Sequence, residues 1–302
     1  MMKRCPGVLH FVGGVMFTLL LAGQFAFTND SNKKTSTAEK TAPDLPKEIS
    51  FAGEAVPIER WEVKERLDRE VLFNYYNTPN ILFLLKLSNR YFPVITERLK
   101  ANGVPEDFKY LCVAESNLLP NAISSAKAVS FWQFLSGTGA GFGLEVNSEV
   151  DERYHVEKAT DAACQYLKQA YSKFGSWTAA AASYNCGQGG YNGQATAQRT
   201  KHYYDLLLPE ETNRYIFRIL AFKHLLSNAG SLGFVLKDEE KYTEPPHRIV
   251  KVTTSISSLT QFAQDNGTSY KVLRVMNPWL RGRQLTVKNG KAYELKLPPA
   301  TS

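Results

Sequence analysis

Residues 105–116 read PEDFKYLCVAES, a stretch that carries the signals of one amphipathic helix. Pro105 suits the first turn of a helix, and the two acidic residues that follow it suit the positive end of the helix dipole. Phe108, Leu111 and Cys112 then recur at the three- and four-residue spacing of one helix face. The pattern predicts a helix over the whole stretch, with its apolar face turned to a core.

The same face continues to Glu115, three to four residues beyond Leu111 and Cys112. A carboxyl group aimed at the core loses hydration, which disfavours its charged form and raises its pKa. A general acid needs this property if it is to hold a proton near neutral pH. The alternative is structural, because a glutamate at a helix end can also reach water or pair with a cation. The helix spacing alone leaves both interpretations open.

Two further segments combine aromatic and amide side chains. They read FWQF at residues 131–134 and ASYNCG at residues 182–187. Flat apolar rings can stack on sugar faces, while Gln, Tyr and Asn side chains can hydrogen-bond hydroxyl and acetamide groups. Each segment taken singly also fits an ordinary helix core, in which the glycine only ends a helix.

The N-terminus has the layout of a secretory signal, with Lys3 and Arg4 ahead of a mostly apolar run at residues 8–27. We predict a signal over residues 1–28, either cleaved or retained as an anchor, because the run is about as long as a membrane-spanning helix. Gln24 stands where a lipid-bearing cysteine would be required, which argues against lipidation. The expected location is the periplasm or cell envelope, with membrane association through this segment left open.

Length and charge bound the remaining possibilities. A chain of 302 residues with 43% hydrophobic content predicts one large domain and a smaller one. Its net charge of +7 favours anionic polymers, namely nucleic acid, membrane surfaces or cell wall. Export argues against nucleic acid as the partner.

The chain also divides by composition. Residues 29–58 are rich in Lys, Thr, Ser and Pro and predict a flexible tether. We predict helices between residues 61 and 100 and at 105–116, 158–173, 177–185 and 212–228, with the glycine-rich residues 137–143 as a loop. After the boundary at Pro245 and Pro246, strands near 247–253 and 293–297 flank helices at 259–264 and 271–276. The predicted domains are a mainly α domain at 59–232 and a small α+β domain at 247–299.

Other chemistries find no matching pattern. The histidines beyond the signal lie far apart, and the chain has neither an HExxH nor a CxxC motif, so we expect no metal and no cofactor. A GxSxG elbow and a Walker-type phosphate loop are also missing from the sequence. Outside the signal only Cys112, Cys164 and Cys186 remain, which permits at most one disulfide within the mature chain.

Three motifs in order resemble the lytic transglycosylase domain of glycoside hydrolase family 23, especially its membrane-bound lytic transglycosylase D branch. The first is Glu115-Ser116, with Ser124 nine residues and Gln133 eighteen residues after the glutamate. The second is residues 182–187, similar to the family's Ala-Ala-Tyr-Asn-x-Gly, and the third is ETNRYI at residues 211–216, similar to Glu-Thr-Arg-x-Tyr-Val. Their order and spacing favour the catalytic interpretation of Glu115.

The resemblance implies a mainly helical, lysozyme-like fold of the goose-type or soluble lytic transglycosylase kind, and a lyase that acts on peptidoglycan glycan strands. It implies that Glu115 protonates the glycosidic oxygen leaving N-acetylmuramic acid and then takes the proton of that sugar's C6 hydroxyl, which gives a 1,6-anhydro end. Substrate-binding roles fall, by matched position, to Ser116, Ser124, Gln133, Tyr184, Asn185 and Tyr215.

Most glycosidases use two carboxyl groups, whereas the three motifs offer no second acidic residue in a comparable position. The acidic residues Glu145, Glu149, Asp151 and Glu152 fall in a poorly matched segment, so a single acid assisted by an intramolecular hydroxyl fits better. A hydrolytic muramidase or chitinase on the same fold stays as one alternative. A non-catalytic peptidoglycan-binding protein is the other.

Two features depart from the patterns of the related families. Ser130 stands where the family usually has glycine, and serine accepts glycine's backbone conformations only with strain. The C-terminal part resembles a divergent βααβ LysM module, whose family binds N-acetylglucosamine-containing chains, but residues 254–256 read TSI where Gly-Asp-Thr is usual. Glycan binding and a purely structural role both remain open for this module. The matching positions of the module are Leu259, Phe262, Ala263, Gly267, Ser269, Leu273, Asn277, Leu285 and Leu297.

Overall fold

The computed structural model describes residues 41–288 and 290–300. Seven helices form the larger part of the described chain. They are α1 (Trp61–Tyr76), α2 (Thr78–Ala101), α3 (Phe108–Ser116), α4 (Ser136–Gly141), α5 (Val156–Phe174), α6 (Trp177–Ala197) and α7 (Glu210–Ser227). A hairpin of β1 (Ser50–Phe51) and β2 (Glu54–Ala55) precedes them, and a βααβ unit follows.

Helix α7 is the centre of the helical part. It packs against α1, α3 and α6, and its buried positions run almost without interruption from Thr212 to Phe222. A helix that is buried on most of its sides must be surrounded by other elements. The core is therefore built around α7, and any side chain that points from α7 toward α3 or α6 lies in the middle of the domain.

The predicted helix at 105–116 begins three residues later than expected, at Phe108. Residues 105–107 form a turn in which the Phe108 N–H donates to the carbonyl of Pro105 over 3.2 Å. Asp107 does not cap its own helix. Its carboxylate accepts from the Ala52 N–H and from Lys223 Nζ, both at 2.7 Å, so it binds the hairpin and α7 instead.

The flexible tether predicted at 29–58 is wrong over its last part, because residues 50–55 form the β1–β2 hairpin. Phe51 is fully buried and packs edge to face on Phe108, with ring centroids 5.1 Å apart. Phe51 and the buried Val56, with partly buried Leu45, Ile49 and Ile58 beside them, thus anchor this otherwise polar segment to the core. Residues 29–40 and the predicted signal lie outside the described residues.

The other predicted helices are confirmed, with shifted ends. Ser176 caps α6 by accepting from the Ala179 N–H, and Gly175 ends α5 in the left-handed conformation. Gly187, predicted as the end of a helix, is a break with φ 75° and ψ 147° inside α6, which then continues to Ala197. The glycine-rich segment predicted as a loop is wrong in part, because Ser136–Gly141 form the short helix α4.

The C-terminal βααβ unit is confirmed. Strand β3 (Arg248–Val252) pairs antiparallel with β4 (Tyr293–Leu297), and α8 (Leu259–Asp265) and α9 (Tyr270–Met276) lie between them in sequence. Leu259, Leu273 and Leu295 are fully buried in its core.

Two general features of the described chain bear on the expectations. None of the described helices combines the length and the apolar character needed to span a bilayer. Cys112 and Cys164 are buried free thiols, and Cys186 is a half-buried one.

Candidate active site

Glu115 is the penultimate residue of α3, half-buried where α3 meets α7. The next turn of chain leaves the helix at once, since Asn117 and Leu118 both have left-handed backbones with φ of 51° and 57°. The Tyr215 hydroxyl, from α7, donates a short hydrogen bond to Glu115 Oε1. Burial raises the pKa of Glu115 to about 7, against the opposing effects of this hydrogen bond and of Arg218. The carboxyl therefore holds a proton close to neutral pH.

One face of α7 surrounds this carboxyl with charge. Glu211, Tyr215 and Arg218 follow one another at helical spacing, and Arg218 Nη1 lies 3.1 Å from the Glu211 carboxylate. Arg218 lowers and Glu211 raises the pKa of Glu115 through space. Arg218 Nε also lies 3.9 Å from buried Glu70 of α1. Neither Arg218 nor Glu70 was predicted from the sequence. Arg218 lies one helical turn after Tyr215, a spacing that could have indicated it, whereas no motif or spacing in the sequence points to Glu70.

Ser116, predicted to bind substrate, lies behind the site instead. Its side chain is 6% exposed, and its hydroxyl is within hydrogen-bonding distance of the Cys112 and Phe131 carbonyls at 3.1 Å and 3.0 Å. Cys112 Sγ also donates to the Phe131 carbonyl, at 3.3 Å. The geometry thus gives Ser116 the task of tying the end of α3 to residues 131–134.

Tyr184 joins α6 to the same segment. Its hydroxyl donates to the Trp132 carbonyl over 2.7 Å, and its ring lies 5.9 Å from that of Phe134. Burial, helped by the nearby Glu115 charge, raises the pKa of Tyr184 well above its usual range. The phenol therefore stays neutral and fixes the segment beside Glu115.

Gln133 and Ser124 lie on the loop between α3 and α4 and are both half-buried. Gln133 has a φ of 48°, and its side-chain amide donates to the carbonyls of Ser130 at 2.7 Å and Ala122 at 3.4 Å. Its Oε1 atom is thereby left as an acceptor. Ser124 Oγ accepts from the Ala128 N–H at 3.0 Å, which closes a turn on the outer part of the loop. No hydrogen bond within the described residues joins either side chain to Glu115.

Asn185 lies at the contact of α6 and α7, two residues before the break at Gly187. Its Oδ1 accepts from the Thr212 hydroxyl over 2.8 Å, which leaves its Nδ2 group as a donor. The structure therefore brings Tyr215 into hydrogen-bonding contact with Glu115 and places Tyr184 close enough to sense the charge of Glu115. Asn185 and Gln133 lie on the two segments that adjoin them.

The strain predicted at Ser130, where serine replaces the usual glycine, is present in the structure. Ser130 is fully buried with a left-handed φ of 62°, and its hydroxyl oxygen has no hydrogen-bond partner among the described residues. Lys127 shares the left-handed conformation with a φ of 65°. Non-glycine residues rarely adopt this conformation, so the loop beside Glu115 is strained.

The acidic residues of the intervening segment are all bound elsewhere. Glu145 accepts from Tyr293 and pairs with Lys291, Glu149 accepts from Thr286, Asp151 pairs with Arg153, and Glu152 pairs with Lys158. Each of these contacts holds the segment to its surroundings.

A groove of about 870 Å³ between α2 and residues 229–241 contains none of the predicted site residues. Within the described ranges, no cluster of three or more His, Cys, Asp or Glu side chains could hold a metal ion.

A helical domain that buries one carboxyl beside a tyrosine, next to an aromatic loop, has the arrangement that general-acid chemistry requires. Comparison with known families identifies the domain further. Residues 93–207 match the family model described as the transglycosylase SLT domain, and residues 248–301 match the soluble lytic transglycosylase C-terminal LysM-like domain. The chain thus carries an SLT transglycosylase domain followed by an SLT-type LysM-like domain, which confirms the predicted fold class. Tyr215 lies beyond the matched range.

Among known proteins, the chain is similar to membrane-bound lytic murein transglycosylase D of two Escherichia coli strains. Each is 27% identical over 198 residues, which cover 63% of this chain and 43% of the relative. The chain therefore spans less than half the length of these relatives. A solved structure of the lytic transglycosylase Slt from Pseudomonas aeruginosa, an inactive mutant, aligns at 19% identity with a TM-score of 0.39, covering 50% of this chain and 26% of that one.

Proposed function

We propose that this protein is a peptidoglycan lytic transglycosylase that cleaves the β-1,4 bond between N-acetylmuramic acid and N-acetylglucosamine. The observation that carries the proposal is Glu115, whose burial keeps a proton on the carboxyl up to a pH of about 7. It lies within the range that matches the SLT transglycosylase domain. Similarity to lytic murein transglycosylases of Escherichia coli supports the same substrate class.

In this mechanism Glu115 serves first as acid and then as base. The protonated carboxyl gives its proton to the glycosidic oxygen, and the bond from that oxygen to C1 of N-acetylmuramic acid breaks. The C6 hydroxyl of the same sugar then bonds to C1, and its proton returns to the Glu115 carboxylate. No water enters the product, so the new end is a 1,6-anhydro sugar. A pKa of about 7 suits both proton transfers, because each form of the group is populated near neutral pH.

One carboxyl group is sufficient because the nucleophile belongs to the substrate. An intramolecular hydroxyl acts at a high effective concentration and needs no second carboxylate to position it. A mechanism with one carboxyl group is also supported by the neighbouring acidic residues, which all have contacts of their own; they are Glu145, Glu149, Asp151 and Glu152. Glu211 is also paired, with Arg218.

The remaining predicted residues divide into two groups in this proposal. Tyr215 orients Glu115, while Ser116 and Tyr184 hold the adjacent loop in place. Gln133 Oε1 and Asn185 Nδ2 keep hydrogen-bonding capacity and are assigned to the sugar hydroxyl or acetamide groups. Ser124, further out on the loop, is assigned to a more distant part of the glycan.

Several finer assignments belong to the same proposal. Glycoside hydrolase family 23 is the class that the motif resemblance and the SLT match support. Export to the periplasm or cell envelope agrees with the sequence of residues 1–28 and with the membrane-bound relatives. The proposed catalytic domain covers residues 59–232 and the LysM-like domain residues 247–299.

The decisive experiment compares the products that the wild type and Glu115→Gln release from purified sacculi. Mass spectrometry of wild-type products should show anhydro ends, one water lighter than reducing ends. Because a general acid contributes about 10²- to 10⁴-fold, Glu115→Gln should lose at least about 99% of the release. Glu106→Gln, which alters a half-exposed carboxylate paired with Lys100 in the turn before α3, is the matched control and should leave release unchanged.

Other results would point to the two alternatives. Reducing ends instead of anhydro ends would mean hydrolysis by a muramidase or chitinase on the same fold. Binding to sacculi with no released muropeptide would mean a non-catalytic glycan-binding protein. Anhydro release by Glu115→Gln at the wild-type rate would overturn the role of Glu115 itself.

A further inference from the structure

The LysM-like domain is joined to the catalytic domain by main-chain hydrogen bonds. The Asp151 N–H donates to the Trp279 carbonyl over 2.8 Å, and the Arg281 N–H donates to the Glu149 carbonyl over 2.6 Å. Val150 and Leu280 form an antiparallel bridge between these bonds. Backbone pairing of this kind fixes both position and register, which side-chain contacts alone do not.

Carboxylates of the same segment reinforce the junction. Glu149 accepts from the Thr286 N–H over 2.7 Å, and Glu145 accepts from the Tyr293 hydroxyl over 2.8 Å. Glu145 also pairs with Lys291. These glutamates, predicted from the sequence to take no part in the chemistry, thus bind the neighbouring domain.

The junction is closely packed at Gly282. A Cβ atom at this position would lie 3.1 Å from Glu149 Cα and 3.2 Å from Glu149 Cγ. Beside it, the Arg281 guanidinium lies 4.4 Å from the centre of the Tyr154 ring. A larger residue at Gly282 would therefore require Glu149 or the chain at Gln284 to shift by a few tenths of an ångström.

The junction continues into the active-site loop through Val129. This residue precedes Ser130 in the loop that carries Gln133, yet its side chain is 5% exposed within the core cluster of the LysM-like domain. Phe131 and Trp132, directly after it, belong to the core of the catalytic domain. The loop is therefore held between two separate hydrophobic cores.

A second connection runs through Arg153, which is 8% exposed. Its Nε and Nη2 atoms donate to the two oxygens of Asp151 at 2.9 Å and 2.7 Å, and its Nη1 donates to the Phe134 carbonyl at 3.0 Å. Asp151 is the residue whose N–H binds Trp279. A buried bidentate pair is rigid. A shift of the LysM-like domain would therefore move Asp151 and Arg153 together and displace the Phe134 carbonyl, next to Gln133.

We propose that the LysM-like domain is a fixed wall of the active site, and that Arg153 is the positioning residue through which it holds residues 127–134. Lys127, Ser130 and Gln133 all have left-handed backbones, and such conformations persist only where the surroundings impose them. Val129 and Arg153 supply that constraint. The kinetic consequence rests on the proposed lytic function, while the structural consequence does not.

The test uses the full chain with Arg153→Lys, which keeps the charge but loses the fork. Its matched control is Arg98→Lys, because Arg98 binds Asp161 with the same two-point geometry, at 2.8 Å and 2.6 Å, on α2 and α5. Amide hydrogen exchange at residues 127–134 should accelerate in Arg153→Lys and stay at the wild-type rate in Arg98→Lys. Because small misplacements in an active site cost up to about 100-fold, kcat on soluble glycan strands should fall about 10- to 100-fold in Arg153→Lys with KM nearly unchanged.

A second pair of variants separates the junction from the arginine. Gly282→Val should reproduce the faster exchange at 127–134, whereas Gly230→Val, at a glycine with open space around it, should not. Wild-type exchange and kcat in a folded Arg153→Lys protein would overturn the proposal, as would equal changes in Arg98→Lys. If Gly282→Val does not fold, Val129→Ala takes its place in the exchange measurement. A wild type without lytic activity would defeat the proposed function only, since the exchange result still decides this inference.

Discussion

Glu54 and Glu115 are both partly buried, but their pKa values are shifted in opposite directions. Glu54, in β2, contacts the start of a helix, whereas Glu115 lies at the end of one. Glu54 reaches the start of α6 and accepts four hydrogen bonds of 2.6–2.9 Å from Ser176, Trp177 and Thr178. These donors lower its pKa although burial acts to raise it. Glu115, at the end of α3, has one donor in Tyr215 and a pKa raised to about 7. Burial therefore makes an acid only where donors are scarce.

The contrast extends to the segments around the two carboxyls. The start of α6 satisfies its free N–H groups with a carboxylate, as the helix dipole favours. The loop after α3 instead contains several left-handed residues and the unpartnered hydroxyl of Ser130. The start of α6 is thus fully hydrogen-bonded, whereas the loop after α3 is strained beside the carboxyl that changes its charge in the proposed mechanism.

The largest expected effect comes from neutralising each carboxyl in turn. The folded-state pKa of Glu115 is raised from 4.5 to about 7, so its protonated form stabilises the protein below pH 4.5 and this stability is lost as pH rises through about 7. At pH 8, Glu115→Gln should therefore increase the free energy of unfolding by up to about 3 kcal/mol. Denaturant unfolding at pH 4 and pH 8 measures the gain, which should vanish at the lower pH.

Glu54→Gln should do the reverse. Its lowered pKa means that the carboxylate stabilises the fold above pH 4.5, and this stability is lost as pH falls through the folded-state pKa. Replacing a carboxylate that accepts several bonds by an amide should cost about 2 kcal/mol at pH 8. If both variants raised the free energy of unfolding at pH 8, or both lowered it, the proposed contrast between the two glutamates would be wrong.

A smaller effect is expected when Glu115 loses its one donor. The Tyr215 hydroxyl favours the charged carboxylate, so Tyr215→Phe should raise the pKa of Glu115 further. In the wild type, kcat/KM should fall as pH rises through about 7, because the acid form is lost. In Tyr215→Phe this alkaline limb should move to higher pH, and kcat should drop about tenfold, the equivalent of one hydrogen bond to a charged group. A pH profile of muropeptide release tests both, and an unmoved limb would contradict the assignment.

The smallest effect concerns the strain beside the site. Ser130→Gly removes a left-handed serine and a buried hydroxyl without a partner, at the expense of some chain entropy. The net gain in unfolding free energy should be about 1 kcal/mol. Ser125→Gly, at an exposed position of the same loop, is the control and should not stabilise. A loss of stability in Ser130→Gly would mean that the serine hydroxyl has a favourable role in the folded state.

The sequence indicated much of this arrangement because its signals were local. Helical periodicity placed Glu115 near the end of α3 on its buried face, and it located α5 and α6 to within a few residues at their starts. The βααβ unit was predictable for the same reason, since its strands and helices have regular patterns of their own.

What the sequence could not indicate depends on partners far apart in the chain. The hairpin at residues 50–55 forms because Phe51 meets Phe108, and polar composition concealed it. Glu70 and Arg218 meet across α1 and α7, where no spacing rule links them. The LysM-like domain contacts residues 145–157, which precede it by more than 100 positions in the chain. In the sequence, the acidic residues of that segment matched no motif and gave no sign of this contact.

The free thiols have a consequence for the chemical durability of the site. Only the thiolate attacks a disulfide or an oxidant, and burial raises the pKa of Cys112 well above its usual range and that of Cys164 to about 12. The pKa of Cys186 is raised as well. At neutral pH the three cysteines of the described residues are therefore almost entirely protonated, and disulfide exchange at them should be slow even in an oxidising compartment. The Cys112 contact with the Phe131 carbonyl can thus persist through redox changes that would modify an exposed cysteine.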